Sequence, residues 1–153
     1  MKLLNIMGIL LVAIAVTGCA TNFNSEMAKY QKEYEEDERQ YRDGLSAVQI
    51  FRVSEDECSG TDLATAKFSL TYLSMRESYF YSLQLWSSHR DIHRMKMGVH
   101  FSLADAAKEK NFYDIADNLY RDIITTYTGS SYAGIRDRAK LGIDDIKEAR
   151  QRQ

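Results

Sequence analysis

FYDIADNLYRDIITTYTGSSYA, residues 112–133, carries an unbroken helical period and then a stop. Phe112, Ile115, Ala116, Leu119, Tyr120, Ile123 and Tyr127 recur at steps of three and four, with Asp114, Asp117, Arg121 and Asp122 between them. That spacing puts the apolar side chains on one stripe of an α-helix and the charged ones opposite. Gly129 follows as a helix stop. Ser130 or Ser131 is placed to cap a further helix, in which Tyr132, Ile135, Ala139, Gly142, Ile146 and Ala149 repeat the period.

The same period runs upstream. Ile92, Met95, Val99, Leu103 and Ala106 mark a helix ending near Lys110, with Asn111 at the turn. Before it, a helix capped by Thr61 or Asp62 and running to about Trp86 carries Leu63, Ala66, Leu70 and Leu73. Its later part, Tyr79-Phe80-Tyr81, is apolar nearly all round and should be buried on more than one side. Ser87-Ser88 ends that helix or caps the next, and Ser54 to Gly60 reads as a polar loop. From a cap at Asn24, Met27, Tyr34, Tyr41 and Val48 fall at one heptad position; Tyr30, Asp37, Gly44 and Phe51 fall at the other. Asp37 and Gly44 spoil this seam for a coiled-coil dimer, so the stripe packs on its own domain, with a weak point near Asp43-Gly44. The acidic run Glu33, Glu35, Glu36, Asp37 and Glu38 reads as a solvated face. The chain has no proline to break these patterns. The expected fold is all-α: about five helices stacked as antiparallel hairpins in one domain, residues 24–153.

The N-terminus has a different design. Lys2 precedes an apolar run from Leu3 to Val16, then Val16-Thr17-Gly18-Cys19. A short basic segment, an apolar segment and small residues before a cut make an export signal. The Val-Thr-Gly-Cys end resembles the lipobox of bacterial lipoproteins. That resemblance implies removal of residues 1–18, lipidation of Cys19 and a short tether over residues 19–23. Several acyl chains hold a protein on a bilayer durably where one does not. Ala20, where Asp would favour the inner membrane, implies by the same resemblance the outer membrane, facing the periplasm. The mature chain then carries 19 basic against 22 acidic residues, about −3, which is no footprint for nucleic acid. Cys58 is the one other cysteine: a buried thiol, or one able to pair between chains.

Leu103-Ala104, Ala107, Ala116, Tyr120, Ile123 and Thr128, followed by Ser131-Tyr132-Ala133 and Leu141-Gly142, resemble a tetratricopeptide-type repeat and the first helix of a second. Small residues at Ala104, Ala116 and Gly142 let helices approach, while Leu103 and Tyr120 fill the space between them. The interval from Leu103 to Leu141 is 38 residues, longer than the usual ~34. Lengthened repeats of this kind resemble those of outer-membrane helical-repeat lipoproteins that serve barrel assembly and pilus secretins.

Three histidines lie on one helical face, of which His89 and His93, four apart, are the candidates for a shared metal. His100, about 10 Å further along, cannot join them, and the face with Arg90, Arg94 and Lys96 reads as wet and mildly basic. No phosphate loop, serine elbow or paired catalytic carboxylates occur, so neither enzyme nor cofactor is expected. The expected role is a membrane-tethered periplasmic adaptor or assembly factor for an envelope machine of the secretin, pilus or barrel class. Tyr72, Tyr79, Tyr81 and Trp86 are its candidate protein-binding residues, since aromatics make strong anchors. The alternative is a self-associating structural or exclusion lipoprotein; a third reading is a metal-handling protein.

Overall fold

The computed structural model describes residues 2–54 and 59–152, with side chains from Ser25 onward other than that of Ser59. Cys58 lies outside the described residues, and the lipobox and the Cys19 side chain precede the described side chains. The described residues form five α-helices and one 3-10 turn: α1 (Lys2–Val53), α2 (Ser59–Ser82), α3 (Trp86–Glu109), α4 (Tyr113–Thr126), the turn Ser130–Tyr132, and α5 (Ala133–Gln151). Among them no helix is long and apolar enough to cross a membrane. Packing divides the chain into two units, Met1–Glu36 and Asp37–Gln153. In the first, Lys29 pairs with Glu33 at 3.9 Å, and Met27, Tyr30 and Tyr34 are exposed.

The second unit is the expected all-α stack. α2 runs back along α1, because Asp37 meets Arg76 while Gly44 meets Ser69. Glu77 meets Lys96 across α2 and α3, and Asp105 meets Tyr120 across α3 and α4. Asp114 meets Arg150 across α4 and α5. Alternate helices lie parallel: Asp105 and Lys108 of α3 pair with Arg138 and Asp145 of α5. Ala47, Val48, Phe51, Ala66, Leu103, Ala106, Ala116, Tyr120, Ile123, Ala139 and Ile146 form one continuous core. A smaller cluster of Leu73, Phe80, Ile92 and Val99 lies between α2 and α3.

The small-residue positions behave as their spacing implies. Ala104 and Ala116 are fully buried, and a Cβ on Gly142 would stand 2.4 Å from the Tyr120 ring. The Tyr120 hydroxyl donates to Asp105 at 2.5 Å, and Arg138 donates to the other oxygen of that carboxylate at 2.6 Å. Three helices are thereby tied through one carboxylate, that of Asp105.

Several boundaries differ from the sequence expectation. Helix α1 passes through Asn24 and through Asp43-Gly44 without a break. Gly44 marks a close approach instead: its missing Cβ would lie 2.7 Å from that of Ser69. Asp37 is no solvated residue but is fully buried. α2 ends at Ser82, not Trp86, which opens α3. The turn between them is a Schellman motif, with Leu85 N–H donating to Phe80 O and Gln84 N–H to Tyr81 O, both at 3.0 Å. Gln84 takes the left-handed conformation at φ 57°, where glycine is usual. Without glycine or proline the turn left no sequence signal. At the other end of α3, Asn111 at φ 62° makes the same motif, donating to Lys108 O while Phe112 donates to Ala107 O. Neither Ser87-Ser88 nor Ser130 or Ser131 supplies a side-chain cap. Gly129, at φ −59°, lies beyond the end of α4 and does not adopt a left-handed stop.

The Gln84 geometry yields a prediction. A non-glycine residue in the left-handed region costs about 1 kcal/mol, so Gln84→Gly should stabilise the fold by roughly that amount, read from chemical denaturation. A loss of stability would mean that the Gln84 side chain compensates its backbone.

Candidate functional site

The Schellman turn carries the aromatic residues that the sequence singled out to the end of the α2–α3 hairpin. Tyr81 (61 % exposed) and Trp86 (54 % exposed) meet edge to face at 5.6 Å. His89 stands 5.6 Å from Tyr81 and 6.3 Å from Trp86. Tyr79 and Leu83, each two residues from Tyr81 and so turned to the other side of the helix end, are exposed as well, as is Met75 one turn before Tyr79 on α2. Apolar and aromatic surface of this kind, left in water after folding, is the usual mark of an interaction site.

Tyr72 does not belong to this ledge. Its hydroxyl donates to buried Asp37 at 2.9 Å, and Arg76 grips the same carboxylate through Nε at 2.6 Å and Nη2 at 3.0 Å. The Arg76 guanidinium also lies over Phe80 and Tyr79, at 4.6 and 5.1 Å from the ring centres. Tyr72 and Arg76 thus serve the α1–α2 contact, and a tyrosine's polar tip pointing inward was invisible to helical spacing.

The histidine face is not wet. Lys96 and His100 are each only 8 % exposed. Glu77 of α2 accepts hydrogen bonds from His93 Nδ1 and Lys96 Nζ, while His89 Nε2 stands 3.7 Å from the same carboxylate. Burial pushes the Glu77 carboxyl up, but the bonds from His93 and Lys96 outweigh it and hold it below the usual glutamate value. The His93 ring meets Tyr127 edge-on at 4.9 Å, and His93 Nε2 and the Tyr127 hydroxyl are buried with no hydrogen-bond partner among the described residues. Tyr127 is held protonated by burial, with the Glu77 charge adding to the effect. His89 and His93 do approach one carboxylate, but Lys96 supplies its counter-charge. Among the described residues no three His, Cys, Asp or Glu side chains are placed to hold a metal ion.

His100 faces an open groove of about 450 Å³ bounded by Leu70, Ser74, Lys96, Leu119 and Asp122. Burial holds its imidazole neutral, with a pKa pulled down to about 4, opposed by the Asp122 charge and aided by that of Lys96. The sign of the linkage is then fixed. The unfolded chain takes up a proton near pH 6.5 that the folded chain refuses, so stability present above pH 6.5 is lost as pH falls toward 4. Going from pH 7 to 5 should cost roughly 2 kcal/mol through this group. His100→Gln should flatten the dependence in urea unfolding; an unchanged pH slope would exclude His100 as its source.

Comparison with family models, with curated proteins and with solved structures finds no match to this chain.

Proposed function

We propose that this chain is a lipid-anchored binding module of the bacterial envelope, held by acylated Cys19 at the outer membrane and facing the periplasm. It acts as an adaptor or assembly factor for an envelope machine, with a tetratricopeptide-like second half. The observation that carries this reading is the Tyr81 and Trp86 ledge, with Tyr79 and Leu83 also exposed at the same hairpin end. Folding leaves these large side chains in water at one end of a hairpin while a continuous core forms elsewhere. Exposed aromatics have low conformational entropy to lose, so they make efficient anchors for a protein partner. The Glu77, His93 and Lys96 network adjoins the ledge through His89, which stands against both Tyr81 and Trp86.

The test combines anchor and ledge. Cys19→Ser should abolish lipid labelling and leave an unprocessed precursor. Tyr81→Ala and Trp86→Ala should each weaken crosslinking to a heterologous envelope partner by about ten-fold, equivalent to ~1.4 kcal/mol. Helicity and melting should stay as in the parent, because both residues are more than half exposed. Normal crosslinking in both variants would remove the ledge as the site.

One observation favours the alternative of self-association. Met27, Tyr30 and Tyr34 lie at helical spacing in the first unit and are exposed. Crosslinks only between copies, lost on Tyr30→Ala, would support that reading over the adaptor.

A further inference from the structure

The electrostatics around the ledge restrict what it can bind. On α3, Trp86, Arg90 and Arg94 follow at steps of four and so form one stripe. Arg90 is exposed and has no ionic partner among the described residues; Arg94 touches Asp91 only at 3.9 Å. Over residues 75–97 the basic side chains are Arg76, Arg90, Arg94 and Lys96, and the acidic ones are Glu77 and Asp91. Asp37 neutralises Arg76 and Glu77 neutralises Lys96, which leaves Arg90, Arg94 and Asp91 at the surface, a balance of +1 inside a chain whose net charge is −2. Glu77 lies beneath the surface, bonded to Lys96 and His93, and Asp91 is the one that faces Arg94. What a partner meets is an aromatic edge with the Arg90 guanidinium beside it and, one turn further on, Arg94 loosely paired with half-exposed Asp91.

We propose that the ledge binds an acidic protein segment bearing an apolar anchor: a large apolar side chain seated against Trp86 and Tyr81, with flanking carboxylates on Arg90 and Arg94. The proposal rests on the reading of the ledge as a protein-binding site and adds the partner's chemistry. Guanidinium forks match carboxylates in geometry as well as charge. Complementary charge also speeds encounter and rejects basic competitors. Binding should therefore weaken with salt, which screens exposed pairs over about 8 Å at physiological ionic strength.

Trp86 is the only tryptophan of the chain, so its fluorescence reports on the ledge alone. Purified protein is titrated with a short synthetic peptide of glutamates interleaved with leucine and phenylalanine, with its lysine counterpart, and with vesicles of anionic lipid. The proposal expects a saturable Trp86 response to the glutamate peptide that is weakened about ten-fold by Arg90→Glu, weakened less by Arg90→Lys, which keeps the charge but not the fork, and reduced by salt. The lysine peptide should give no saturable response. Equal responses to both peptides would overturn the charge selection and leave the adaptor reading standing. No response to the glutamate peptide, with envelope crosslinks still lost in Trp86→Ala, would overturn the partner chemistry alone. A response to vesicles and to neither peptide would overturn both, making the ledge a membrane contact.

Discussion

Asp37→Ala should destabilise the helical body by about 3 kcal/mol, the lower end of the range for breaking a buried ion pair. The carboxylate is fully buried and receives Arg76 through two nitrogens and Tyr72 through its hydroxyl. Removing it takes away the carboxylate that the Arg76 guanidinium, whose side chain is only 17 % exposed, holds through two nitrogens. Partial access to water keeps the loss below the top of the range. Desolvated pairs are often replaceable by apolar residues, so Asp37→Leu combined with Arg76→Met should recover most of the loss. Urea denaturation of the single and double variants checks both statements. A single variant within about 0.5 kcal/mol of the parent would mean that the pair contributes nothing net.

Gly142→Ala should destabilise by roughly 2 kcal/mol, although local propensity alone says the opposite. Alanine inside a helix is worth about 0.5–1 kcal/mol over glycine. At this place the added Cβ would meet three Tyr120 ring atoms at 2.4, 2.5 and 2.8 Å. The ring cannot swing aside, since its hydroxyl is bonded to Asp105 and the residue is 1 % exposed. Either α5 moves away or the bond breaks, and overpacking of this kind costs about 1–3 kcal/mol. Gly134 of the same helix is the control: a Cβ there meets nothing within 4 Å, so Gly134→Ala should be neutral or stabilising. Combining Gly142→Ala with Tyr120→Leu should cost less than the sum of the two single changes, because the contact is shared. Strict additivity would place the strain elsewhere.

The all-α hairpin stack was legible in the sequence because the apolar period of α3, α4 and α5 is long and unbroken. Ala116, Tyr120, Ile123, Ala139 and Ile146 are buried where spacing put them. Period specifies which face of a helix is apolar, and short connections leave neighbouring helices antiparallel. The candidate site was half legible. Tyr79 and Tyr81 are exposed with Trp86 on one hairpin end, where the run Tyr79-Phe80-Tyr81 read as buried on more than one side and only Phe80 is buried, and Tyr72 turned inward to Asp37.

The exceptions to solvation and propensity arise only once the helices have stacked. An aspartate in an acidic run, a lysine and a histidine on a basic face read as surface residues, yet Asp37, Lys96 and His100 are buried. Two of the three, Asp37 and Lys96, find opposite charges, on Arg76 and Glu77, 39 and 19 residues away. The third, His100, sheds its proton instead. Gln84 adopts a glycine conformation because Leu85 and Phe80, packed in one cluster, close the α2 terminus over it. Spacing along a helix reports the amphipathic face, since that depends on neighbours one turn away. Charge pairing and backbone strain depend on residues that meet only after the helices stack.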